Sequence, residues 1–61
     1  MYIITVRLDG KWYYLGGNVL HVEAKRATRH ISKSQAEKTK KEKSAMLQRA
    51  GAVLIEILRV E

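Results

Sequence analysis

Six side chains able to carry positive charge cluster around the start of one helical segment. Lys25, Arg26, Arg29 and His30 stand in the run Lys25-Arg26-Ala27-Thr28-Arg29-His30, and Lys33 and Lys40 follow on the helix itself. No acid lies between Glu23 and Glu37. The free N–H groups and the dipole at a helix N-terminus favour anions, so the chemistry these residues could do is recognition of a phosphate or a carboxylate cluster. An ordinary solvated basic loop has the same composition, and the residues alone leave both readings open. The neighbouring lysines have a simpler explanation. Glu37 precedes Lys41, and Lys38 precedes Glu42, at the four-residue spacing of helix-surface ion pairs. Lys38 and Lys41 are therefore assigned to a soluble outer face, while Lys33 and Lys40 join the candidate anion surface.

A second candidate surface is aromatic. Strand alternation puts Arg7, Trp12 and Tyr14 on one face, away from the expected core. Such a trio can stack nucleic-acid bases, anchor a protein interface, or reduce to Arg7 covering Trp12 by a cation–π contact. Interface use is the expectation, with Val53, Ile55 and Ile57 of the last strand as further interface candidates. His21 and His30 lack the three or four convergent ligands that a metal needs, so no metal site is expected. Asp9, the only aspartate, is committed to a turn. There is no cysteine, no nucleophile elbow and no glycine-rich phosphate loop followed by Lys-Ser/Thr. The chain is read as a binding protein, not an enzyme, with no cofactor.

The elements that must hold these residues follow from local signals. Tyr2 to Leu8 alternates apolar and polar, Asp9-Gly10 is a two-residue hairpin turn, and Lys11 to Leu15 returns. In that register Val6 faces Tyr13, Arg7 faces Trp12 and Thr5 faces Tyr14. Gly16-Gly17-Asn18 is a second turn, and Val19 to Ala24 forms a short third strand. Ser32-Lys33-Ser34-Gln35 is a capping box, with Ile31 placed to staple onto Ala36. The helix is predicted from about Lys33 to Ala50, with Gly51 as its stop. Its apolar stripe collects Ala36, Thr39, Lys43, Met46, Leu47 and Ala50. Ala52 to Val60 is a β-branched run whose two apolar faces one helix cannot cover, which points to a homodimer or a hydrophobic partner. The fold class is α+β: a small antiparallel or mixed βββαβ sheet, order 4-1-2-3, with the helix on one face. A right-handed crossover would bring the last strand back parallel to the first.

Sixty-one residues make one domain near the lower size limit for independent folding. Twelve Lys and Arg against six acids give a net charge of +6, which favours polyanions or acid-lined surfaces. The opening Met1–Arg7 has no signal-peptide form, and no run approaches a membrane span. Absent cysteine and absent signal together fit the cytoplasm, and no membrane partner is expected.

The layout of an Asp9-Gly10 hairpin, an Ala24/Ala27 spacer, a capped Ile31-Ser32-x-x-Gln35-Ala36 helix and a closing Val-Ile-rich strand resembles the small orphan proteins encoded by bacteriophages and prophages. That resemblance implies action in the host-cell cytoplasm: binding host machinery or nucleic acid, or blocking a defence system as anti-CRISPR proteins do. Three functions are weighed. The first is an inhibitor docking on a host protein or protein–nucleic-acid complex. The second is direct DNA or RNA binding through Lys25, Arg26, Arg29, Lys33 and Lys40. The third is a self-associating structural or assembly accessory.

Overall fold

The computed structural model describes residues 1–60. Strands β1 (Tyr2–Leu8), β2 (Lys11–Gly16) and β3 (Val19–His21) precede a short 3-10 turn, η1 (Ala24–Arg26). Helix α1 (Lys33–Arg49) and strand β4 (Ala52–Arg59) complete the chain. The four strands form one sheet in the order β3-β2-β1-β4, every pair antiparallel. This is the α+β class and strand order the sequence predicts.

Local chemistry sets the hairpin. Asp9 and Gly10 both hold positive φ, 51° and 76°, as the tight turn between β1 and β2 requires. The resulting register pairs Thr5 with Tyr14, Val6 with Tyr13 and Arg7 with Trp12. Ile4, Val6 and Leu15 are buried on one sheet face together with Leu47 of the helix, and Leu8, Leu20, Ala52, Ile55 and Ile57 pack around them.

The helix begins where its cap dictates. Ser32 is extended, and its Oγ accepts a hydrogen bond from the Gln35 N–H at 3.2 Å. Ser32→Ala should cost about 1 kcal/mol of stability, read as a lower urea midpoint with an unchanged slope. Gly51, at φ +108°, ends the helix and turns the chain into β4.

In its elements and their packing the structure departs from the sequence reading in four places. β4 runs antiparallel to β1, not parallel. The reason lies in the segment after β3, which returns to the starting end of β1: Thr28 N–H donates to Leu15 C=O, and His30 and Tyr2 exchange backbone hydrogen bonds at 2.8 Å. The helix therefore starts beside Tyr2. It travels about 25 Å, roughly the length of β1, and delivers β4 to the far end, where Ala52 meets Leu8. β3 is also shorter than predicted, because Ala24 opens η1. The sheet-facing stripe of α1 is Ala36, Thr39, Lys40, Lys43, Ser44 and Leu47, while Met46 and Ala50 are exposed. Small Ala36 and Ser44 let the helix lie close, and the aliphatic stem of Lys40 serves as packing surface. Finally, Ile31 is 76% exposed and makes no staple, since the His30–Tyr2 bridge has already fixed the path into the cap.

Candidate functional site

One side of the sheet carries α1; the other is open except at the β2–β3 corner. Alternation along the strands assigns this side to Ile3, Thr5 and Arg7 of β1, Trp12 and Tyr14 of β2, His21 of β3, and Leu54, Glu56 and Leu58 of β4; Ile3 and Thr5 are nevertheless buried. Arg7 Cζ lies 5.3 Å from the centre of the Trp12 ring, a cation–π contact. Thr5 Oγ1 donates to the Glu56 carbonyl at 3.3 Å. Around them a shallow depression of about 210 Å³ is lined by Thr5, Trp12, Tyr14, Glu56 and Leu58. Trp12, Leu54 and Leu58 remain 40%, 44% and 50% exposed. The floor of the depression is thus aromatic and aliphatic, with one cation and one anion beside it.

The last strand contributes to this surface differently from the sequence expectation. Ile55 and Ile57 pair with Val6 and Ile4 and pack against the core on the helix side. They do not share a face with Arg7, Trp12 and Tyr14. Val53 is left over where the register slips between Arg7 and Leu8, a bulge that leaves it 78% exposed. Leu54, Glu56 and Leu58 are the β4 residues that join the aromatic trio. Strict two-residue alternation was the available signal for them, but it indicated only that they share a face. Which face was open depended on the direction and partner of β4.

The six candidate anion-binding residues are divided by the sheet. A Cβ placed on Gly16 would lie 2.3 Å from the Arg26 carbonyl oxygen and 2.7 Å from His21 Cδ2. Gly16 alternates with Trp12 and Tyr14, so η1 rests on the open side at the β2–β3 corner, bringing Lys25 and Arg26 with it. Both are engaged by Glu23: Lys25 Nζ at 3.3 Å and Arg26 Nε at 3.4 Å. Lys33 and Lys40 belong to the helix layer. Lys40 lies beside Ala52–Ile55 on the β4 flank, far from η1 in the strand order. His30 faces a separate hollow with Thr28, Thr39 and Lys43, where Lys43 Nζ donates to Asn18 Oδ1. Arg29 is exposed. The chain therefore has no single anion cradle that gathers all six.

Among the described residues no group of three His, Cys, Asp or Glu side chains is placed to hold a metal ion. No described helix is long and apolar enough to cross a membrane. No protein-family model, curated protein or solved structure matches the chain.

Proposed function

We propose that this chain is a non-catalytic binding protein that docks another protein on the open side of its sheet. The observation that carries this reading is the Arg7–Trp12 pair, with Trp12 40% exposed, set among Tyr14, Leu54 and Leu58 on the side of the sheet opposite α1. Interfaces concentrate their energy in Trp, Tyr and Arg at a desolvated centre, and this depression has that composition. Lys25 and Arg26 sit at one corner of the same side, and the chain carries +6 overall. An acid-rimmed partner would be steered toward it. The resemblance to phage-encoded proteins makes that partner a host protein and the outcome inhibition; this part of the proposal rests on the turn, cap and strand layout alone.

Single-stranded nucleic acid is the second reading, favoured by aromatics and cations sharing one side. Against it, Arg7 already occupies one face of the Trp12 indole, and Glu23 offsets Lys25 and Arg26.

Affinity capture from nuclease-treated host lysate tests the choice when run beside two variants. Trp12→Ala should weaken binding of the captured protein about 30-fold, the effect of losing roughly 2 kcal/mol at a hot spot. Lys33→Ala with Lys40→Ala, on the helix side, should leave it unchanged. A captured protein indifferent to Trp12→Ala overturns the docking surface. Retention of an oligonucleotide, with affinity falling log-linearly as salt rises, transfers the assignment to nucleic acid.

A further inference from the structure

The two edges of the sheet are unlike. β3 is three residues long, and the chain turns back beside it into η1. β4 is eight residues and, among the described residues, pairs with β1 alone and leaves its outer backbone edge unmatched. Natural edge strands are protected by brevity, proline, lysine, bulges or a covering element. Here the devices are the bulge at Val53 and two charged side chains, Glu56 and Arg59. From Leu54 to Arg59 there is no proline, no lysine and no bulge. On the helix side, a shallow trough lined by Lys40, Ser44 and Gln48 runs along Ala52–Ile55.

We infer that two copies of this chain pair antiparallel through β4, joining their sheets into one of eight strands. Three observations favour a second copy over a foreign strand. The strip is electrically self-compatible: β4 holds one acid, Glu56, and one base, Arg59, within a chain of net charge +6. Two copies meeting there bring no net charge together. The strip is also self-complementary in pattern. A two-fold axis normal to the sheet pairs residues of the same face. Centred on Ile57, it sets Ile57 against itself, Glu56 against Leu58, Ile55 against Arg59 and Leu54 against Val60, so no like charges stand directly opposite. Lastly, this register uses only the stretch beyond the bulge. Such a contact falls at the low end of interface size, below roughly 1,200 Å² in total, so the dimer should form in the micromolar range.

The axis keeps both helices on one side and both open faces on the other. The dimer presents one continuous platform with Leu54, Glu56 and Leu58 of each copy at its middle. The pairing stands whether or not that platform docks a partner; only the gain from two adjacent faces rests on the docking reading.

Sedimentation across the micromolar range should show a reversible monomer–dimer equilibrium. A mixture of labelled and unlabelled chains should give interchain NMR contacts confined to Leu54–Val60. Glu56→Lys with Leu58→Lys sets lysine directly opposite lysine on both sides of the axis, and should weaken the dimer at least about tenfold. Both side chains are substantially exposed, so the variant keeps its fold, checked by its circular dichroism. Trp12→Ala, off the edge, should leave dimerisation unchanged while weakening partner capture, so the two assignments fail separately. A chain that stays monomeric, or a dimer whose contacts lie on Trp12 and Tyr14 or on α1, overturns the β4 pairing.

Discussion

Leu47→Ala should remove most of the chain's folding stability at 25 °C. Leu47 is the only large apolar side chain that α1 buries; Ala36 is the other buried residue of the helix and carries a single methyl. Everything else the helix turns toward the sheet is Thr39, Lys40, Lys43 or Ser44, half-buried and polar. Leu47 meets Ile4, Val6 and Leu15 in the one core cluster. Truncating such a leucine costs about 2.7–5 kcal/mol, from lost transfer energy and the cavity left behind. Stabilities of small domains begin near 5 kcal/mol, so the loss consumes most of what holds the helix on the sheet. The check is urea or thermal unfolding followed by far-ultraviolet circular dichroism. Leu47→Met, which conserves volume, should cost under about 1.5 kcal/mol. A loss below 1 kcal/mol in Leu47→Ala would mean that the helix is anchored elsewhere.

Gly16→Ala is expected to be the next most damaging change, by crowding instead of by a cavity. The new methyl would meet His21, which can rotate away, and the Arg26 carbonyl oxygen at 2.3 Å, which cannot. Arg26 is backbone of η1, and the chain just after it is pinned: Thr28 N–H donates to Leu15 C=O at 3.0 Å and Thr28 Oγ1 accepts from Gly17 N–H at 2.9 Å. Relief requires η1 to lift from β2 or these bonds to break. Overpacking of this kind costs up to roughly 3 kcal/mol. A lowered melting temperature, together with faster hydrogen exchange at the Thr28 amide, would report it. Because η1 carries Lys25 and Arg26 to the open side, the same variant should slow association with an acidic partner even where it remains folded. A neutral Gly16→Ala would refute the seating of η1 on that side.

Much of this architecture was legible one segment at a time. Asp9-Gly10 specified both the turn and the Arg7–Trp12 register, because a two-residue loop leaves the strands no freedom to slip. Ser32 and Gly51 bracketed α1 through backbone groups within a few residues of themselves. The alternation of β1 and β2 placed Arg7, Trp12 and Tyr14 together. Each of these signals is local: donor, acceptor and side chain lie within one turn or one cross-strand pair. The charge of +6 and the absence of cysteine were equally open to reading.

Other features depended on contacts between segments distant in sequence. The direction of β4 was set by the return path after β3, through His30 to Tyr2 and Thr28 to Leu15, and no residue in β4 encodes it. That path also decided which cations share a side. Lys25 and Arg26 follow η1 over Gly16 to the open face, while Lys33 and Lys40 stay with the helix, although all are equally basic in sequence. The placement of Ile55 and Ile57 beneath the helix, and of Leu54 and Leu58 on the open face, came from pairing with β1 and from the slip at Val53. Residue types fixed which surfaces are charged, aromatic or greasy; the long-range hydrogen bonds fixed how those surfaces are combined, because only they determine which way each segment points.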